Sequence, residues 1–403
     1  MKKILSAIIL FALLVLSLNA QQPYVILVSF DGFRWDYTER GLTPNLDKIK
    51  NDGVAALSLQ PSYPSKTFPN HYSIITGMYP ENHGIIANDF YNVLCGLRYK
   101  VGDTISVRNS DWYNGEAFWE TAERNGIKCA SYFWPGSEVN NKLRRPSYFK
   151  YYEHNTPRRQ RIDEVINWLE LPYSERPKFI TLYFHDTDDV GHEFGPYSTE
   201  IDECIMRMDS LAEYLFSRIN ELSFADSINV IFVSDHGMTG IDSKKIINID
   251  EILSDISFTL EGDKTFAFIK TDPGNINTVY EILKNNENKY RVYLKRDMPE
   301  YLHFSNNPNI PEIIMIADLG WSILDSDQLQ RFESYGGKGN HGYDNTETDM
   351  HGIFIANGPA FKSGFRTGTI SNIDIYPMLC EIFKIEPNKS IDGNLVNIEH
   401  ILK

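Results

Sequence analysis

The chain has 403 residues and a formal net charge of −15 at pH 7. Such acidity excludes a surface built to attract nucleic acid polymers, but a small phosphate ester held by bound cations stays compatible with it. Hydrophobic residues make up 42% of the sequence, enough for a packed core, and no stretch beyond the first twenty residues is long and apolar enough to cross a bilayer.

Residues 1–20 begin with Lys2 and Lys3, run apolar from Ile4 to Leu18 and end on Ala20 before Gln21. A basic start, a short apolar run and a small final residue read as a signal peptide cleaved near Ala20. The mature protein is therefore expected to be exported, periplasmic or secreted, with no stable membrane anchor. Cys95, Cys129, Cys204 and Cys380 show no metal-binding spacing and define no pairing. Cys129, in GIKCASYFW, reads as a buried strand thiol.

The remaining chain, 21–403, suits one enlarged α/β domain. In chain order, apolar runs at 24–30, 127–133, 179–184, 229–234 and 352–357 read as buried strands. Amphipathic stretches at 44–52, 115–125, 160–170, 201–220 and 373–384 read as helices between them. This alternation predicts a mostly parallel central sheet flanked by helices, with ligands bound beyond the carboxyl ends of the strands. Residues 89–112 and about 244–335 read as inserts. The larger is expected to be a small α+β subdomain that forms a cap or wall.

Residue types that bind metals cluster just past the expected strand ends. Asp31 follows YVILVSF, Asp188 and His192 follow KFITLYF, Asp235-His236 follows NVIFVS, and His341 sits in GKGNHGYDN. Three Asp and three His so placed suit two divalent cations, zinc above all. Asp188 and His192 are four apart and share a face on a helical turn; Asp186 and Asp189 are rivals that lack this spacing. On an extended backbone Asp235 and His236 point opposite ways and could reach different ions. Glycines around His341 allow close backbone approach, but no GK[ST] follows, so the loop is not a Walker motif. A solvated acidic loop, a structural histidine or a flexible surface loop is the plainer alternative at each of these places.

Thr67 opens TFPNHYSIITG, a short helix framed by Pro69 and Gly77. Ser65 or Thr67 can cap it. Either can also serve as a nucleophile for a phosphate held at the helix N-terminus. The other histidines, His71, His83, His154, His185, His303, His351 and His400, read as structural.

At these motifs the chain resembles the nucleotide pyrophosphatase/phosphodiesterase family of the alkaline phosphatase superfamily. The pieces SFDGFRWDY, PSKTFPNHYSIITGMYPENHGI, FWPGSEV, ERPKFITLYF, DDVGHEFGP, SDHGM and the His341 loop occur in the family's order. The resemblance implies an alkaline phosphatase-like α/β fold with two zinc ions per subunit. One ion would be held by Asp31, Asp235, His236 and Thr67, the other by Asp188, His192 and His341. It further implies that Thr67 forms a phosphothreonine and that Asn88 donates to a phosphate oxygen. Lys66, Phe68, Trp134 and Tyr152 are implied at the substrate, with Phe68 and an aromatic near Tyr152 sandwiching a base. One departure is Thr187, where the family usually has Pro.

The implied activity is hydrolysis of nucleotides or dinucleotides to nucleoside 5′-monophosphate by a minimal catalytic form, with no protein partner. A phospholipid or choline-phosphate diesterase is the alternative within the family. A phosphomonoesterase fits Thr67 and Asn88 less well. An inactive exported nucleotide-binding protein is the alternative from another class.

Overall fold

The computed structural model describes residues 22–254, 256–335 and 337–403; the expected signal segment, residues 1–20, lies outside the described residues. Eight strands make the main sheet: β1 (Tyr24–Phe30), β2 (Val54–Ala56), β3 (Cys129–Tyr132), β4 (Tyr148–Lys150), β5 (Phe179–Phe184), β6 (Ile228–Val233), β7 (Phe354–Asn357) and β8 (Phe365–Thr367). Their spatial order is β8-β2-β7-β6-β1-β5-β3-β4. β1 pairs in parallel with β5 and β6, β3 with β4 and β5, and β8 with β2, whereas β7 runs against β6 and β2.

The sheet is covered on both faces, which is why its central strands read as unbroken apolar runs. All seven residues of β1 are buried. Alternate side chains leave opposite faces. Val25 and Leu27 join a core with α2 (Thr67–Thr76) and α6 (Ile375–Phe383). Tyr24, Ile26, Val28 and Phe30 join another with α1 (Pro44–Asp52), α3 (Arg158–Glu170) and α5 (Thr199–Asn220). Local signals set the helix starts. Ser198 caps α5 by accepting from Ile201 N at 3.1 Å. The Asp209 carboxylate of α5 accepts from Leu46 N at 2.8 Å and Asn45 N at 3.2 Å, closing the positive end of α1.

The five expected strands and five expected helices are all present, with ends displaced by a few residues. β2, β4 and β8, three residues each, went unforeseen because such pieces carry no readable period. Cys129 is buried at the start of β3, and all four cysteines are free thiols. No helix among the described residues is long and apolar enough to cross a membrane.

Within 244–335 four strands form an antiparallel sheet, in the order Thr259–Asp263, Phe266–Lys270, Ile313–Ala317 and Tyr290–Leu294. The helix Ile276–Asn285 packs on it through Val279 and Leu283. The hairpin turn between the first two strands reaches the main body. Asp263 pairs with Lys66 at 2.6 Å, and Thr265 Oγ1 donates to the His341 carbonyl at 3.1 Å.

α2 is fixed from beneath by His83. This ring is fully buried, accepts from Ile85 N through Nδ1 at 3.2 Å and donates from Nε2 to the Pro69 carbonyl at 3.1 Å. Both nitrogens are satisfied in the neutral form, and burial pushes the pKa down to about 3. The folded value is depressed, so His83 adds full stability above the unfolded value near 6.5 and loses it as pH falls toward 3. Its share of the loss between pH 7 and pH 5 is about 2 kcal/mol. In NMR the His83 ring is expected to stay neutral at pH 5; titration near pH 6.5 would contradict this packing.

Candidate metal and catalytic site

The parallel run of β1, β5 and β6 brings three chain segments out at one edge of the sheet. Asp31 leaves β1, α4 (Asp186–Phe194) follows β5, and Asp235 and His236 follow β6. Gly32 has a φ of +66°, and a Cβ there would lie 2.9 Å from the Asp188 Cα. Glycine at this position therefore allows α4 to press its first turn against the Asp31 loop.

Asp188 and His192 sit one turn apart on α4, with Oδ1 and Nε2 3.4 Å apart, as their spacing requires. The rivals face elsewhere: Asp186 pairs with Arg158 at 2.8 Å, and Asp189 lies 3.3 Å from His154. His341 is delivered by a short antiparallel pairing of Gly339–Asn340 with Thr239–Gly240, so its loop is anchored. Its Nε2 lies 3.1 Å from His192 Nε2 and 3.5 Å from Asp188 Oδ1.

On the other side His236 Nε2 lies 3.3 Å from Asp31 Oδ1 and 3.1 Å from Asp235 Oδ2. The expectation that Asp235 and His236 diverge fails. β6 ends at Val233, so neither residue is on extended strand, and the two side chains converge. The His236 and His341 rings stack with centroids 3.5 Å apart, joining the two halves. Asp188 Oδ1 also lies 4.0 Å from His236 Nε2.

Three histidines are held in one way. Nδ1 of His192, His236 and His341 donates to the carbonyls of Gly339, Gly237 and Ser65 at 3.0, 2.8 and 2.7 Å. Each Nε2 then carries a lone pair and points into the centre. His192 and His341 thus face each other with two lone pairs and no proton between them. Asp31 Oδ1, Asp188 Oδ1 and Asp235 Oδ2 are buried without a hydrogen-bond partner among the described residues. Burial, then the charges of Asp235 and Asp188, pushes the Asp31 carboxyl well above its usual range; Asp235 is raised by burial and by Asp188. Burial holds His236 and His341 well below the usual imidazole range. Crowded carboxylate oxygens and imidazole lone pairs form a donor set that fits metal cations. Asp188, His192 and His341 make one such group, and Asp31, Asp188 and His236 an adjoining one.

Thr67 is the first residue of α2, after Lys66 at the cap position, whose side chain makes no cap bond. Thr67 Oγ1 lies 3.2 Å from His236 Nε2, within the donor set. Ser65, the other hydroxyl considered, is fully buried and donates to the Tyr343 carbonyl at 3.1 Å. Asn88 Oδ1 accepts from Phe68 N at 3.1 Å, which leaves its Nδ2 as a donor beside Thr67.

A cavity of about 350 Å³ opens beside Thr67, and Phe68, Trp134, Tyr152 and Tyr183 help to line it. Trp134 is anchored by its Nε1–H, which donates to the His71 carbonyl at 3.0 Å. Phe133, on the same wall, holds a φ of +64°, a strained conformation for a bulky residue. Lys66, expected at the substrate with Phe68, turns away from this cavity. Its chain is extended at the cap position, so Nζ runs to Asp263 at 2.6 Å and Asn340 at 3.2 Å. Gly342 gives it passage: a Cβ there would lie 2.3 Å from Lys66 Cε, at a φ of +108°.

Three neighbours were missed. His71, read as structural, packs beside Asp235 with Nδ1 3.3 Å from Oδ2, while Ser29 and the Thr67 carbonyl hold its nitrogens at 2.8 and 2.9 Å. Its place four residues after Thr67 on α2 was the available signal. Tyr183 donates to Asp31 Oδ2 at 2.6 Å; alternation along β5 gave no hint of that reach. Thr187, the departure from the family pattern, donates its hydroxyl to the Asp31 carbonyl and ties α4 to β1.

A doubly covered, mostly parallel sheet with Asp and His donors at its carboxyl edge is the alkaline phosphatase-like α/β arrangement that the resemblance implied. The profile described as type I phosphodiesterase / nucleotide pyrophosphatase matches residues 25–344, and the chain belongs to that family. It is 35% identical over 393 residues to venom phosphodiesterase CdcPDE of Crotalus durissus collilineatus, covering 95% of this chain and 47% of that protein. It is 35% identical over 391 residues to ectonucleotide pyrophosphatase/phosphodiesterase family member 3 of Bos taurus, covering 94% and 44%. The chain thus spans about half the length of the curated relatives it matches. Among solved structures, murine ectonucleotide pyrophosphatase/phosphodiesterase 5, an inactive variant in complex with AMP, superposes with a TM-score of 0.88 at 30% identity, over 95% of this chain and all of that one. The human counterpart matches at 0.88 and 33%, over 94% of this chain and again all of that one.

Proposed function

We propose that the chain is an exported two-zinc hydrolase of phosphoric diester and pyrophosphate bonds. It cleaves nucleotides or dinucleotides to nucleoside 5′-monophosphate through a phosphothreonine at Thr67. One observation carries the reading: Thr67 Oγ1 stands between the donor set and an aromatic-lined cavity. Asp31, Asp235, His236 and Thr67 would hold one zinc, and Asp188, His192 and His341 the other. Bound there, the ions would supply Lewis-acid stabilisation of phosphoryl oxygens and activation of a hydroxyl.

The chain's own groups do the rest. Thr67 Oγ1, having lost its proton to solvent, bonds to phosphorus as the bond to the leaving alkoxide or phosphate breaks. Water then cleaves the phosphothreonine and restores the hydroxyl. Asn88 Nδ2 donates to a non-bridging oxygen. Phe68 and Tyr152 receive the base, and the Arg108–Glu138 pair, at 3.1 Å, offers polar contacts on the cavity lining. Residues 21–403 act as one catalytic unit, with about 244–335 as an inserted wall. The substrate is a small phosphodiester, and neither a polymer nor a protein partner is required. The AMP complex of the murine relative supports a nucleotide in this cavity.

A substrate panel on zinc-loaded protein tests this reading. ATP or a dinucleotide should turn over faster than glycerophosphocholine; the reverse order would point to the lipid-type diesterase. Phe68→Ala should lower kcat/KM for nucleotides by roughly 5- to 150-fold, the effect of about 1–3 kcal/mol of base stacking. It should leave a small nitrophenyl diester that lacks a base nearly unaffected. Equal losses on both substrates would remove Phe68 from base recognition.

A further inference from the structure

A second set of donors lies on the outer side of α4. His154 follows β4 and stacks on His185, with ring centroids 3.9 Å apart and planes 24° apart. Asp189 Oδ2 lies 3.3 Å from His154 Nε2 and 3.7 Å from His185 Nε2. One donor from each residue falls within 4.8 Å of the others. His185 is only 3% exposed, yet neither ring nitrogen has a hydrogen-bond partner among the described residues. A buried imidazole without partners carries a desolvation cost that nothing in the protein offsets. An ion pair between His154 and Asp189 would account for those two groups and leave His185 unexplained.

We propose that His154 Nε2, His185 Nε2 and Asp189 Oδ2 hold a further divalent cation, of zinc or its borderline neighbours, apart from the Asp31–His341 centre. Two imidazoles and one carboxylate select such ions over calcium or magnesium, which take oxygen ligands. The Tyr152 hydroxyl oxygen lies 3.0 Å from His154 Nδ1; by accepting from Nδ1–H it would fix the ring and leave Nε2 free for the ion. The side chains of His154 and Asp189 are 50% and 51% exposed, so the ion can enter from solvent and keep water in its remaining positions. Through Asp189 it would brace α4 beside Asp188, and through His154 it would brace Tyr152 at the cavity wall. The proposal goes beyond the phosphodiesterase reading and does not depend on it.

The test is zinc content after equilibrium dialysis against tens of micromolar free zinc, for wild type, His154→Ala and Asp189→Asn. Both replaced side chains are half exposed, so the variants retain the core. Wild type should hold close to one more ion per chain than either variant. Equal content in all three proteins would overturn the proposal. Loss of two or more ions by either variant would overturn it too, because the residue would then be serving the Asp31–His341 centre. The readout is a difference, so a zinc shortfall common to all three proteins counts against that centre and not against this site.

Discussion

Thr67→Ala is expected to lower turnover of a nucleotide diester by about a thousandfold or more, while fold and zinc content persist. The loss is large because no other hydroxyl stands ready. Ser65 is sealed under Tyr343, and Thr67 alone among the two places its oxygen 3.2 Å from His236 Nε2. The fold should survive because Lys66, not Thr67, occupies the cap position of α2 and the residues from Pro69 to Thr76 are buried. Asp31, Asp235 and His236, the other proposed ligands of that zinc, are unchanged in the variant. Quenched-flow trapping of a phosphorylated protein should succeed in wild type and fail in the variant. Wild-type turnover in Thr67→Ala would move the nucleophile elsewhere.

Removing metal with a chelator is expected to abolish turnover and to lower the melting temperature. Asp31 Oδ1, Asp188 Oδ1 and Asp235 Oδ2 have no hydrogen-bond partner among the described residues, and the His192 and His341 lone pairs sit 3.1 Å apart. Like charges and lone pairs this close repel one another unless a cation lies between them. Ions present at a thousandfold excess over their Kd stabilise the folded state by about 4 kcal/mol each, so a fall in Tm of roughly 5 °C or more is expected. Zinc should restore both properties. Calcium should restore neither, since the site offers imidazole nitrogens. A chelated protein with unchanged Tm and activity would contradict the metal reading.

The parts of the site that depend on short spacing were legible in the sequence. Asp188 and His192 share a helical face at four residues' distance, and the buried runs of β1, β5 and β6 put Asp31, the α4 pair and Asp235 at one edge. What depended on backbone direction was not. Asp235 and His236 converge because β6 ends at Val233 and neither residue lies on extended strand. Lys66 and Phe68 part because one is at an extended cap and the other is in the first helical turn. Contacts across segments far apart in the chain had no sequence signal. Tyr183 on Asp31, Asp263 on Lys66 and His154 on His185 are of this kind. The proposed grouping of the ligands into two sites rests on the family resemblance, because spacing leaves it open.

The proposed two-zinc centre is tested most directly by anomalous X-ray scattering at the zinc edge from crystals of zinc-loaded protein. Two peaks are expected between β1, β6 and α4: one within coordination distance of Asp31, Asp235, His236 and Thr67 Oγ1, the other of Asp188, His192 and His341. A single peak there, or none, or two peaks with Thr67 outside coordination distance of both, would contradict the mechanism.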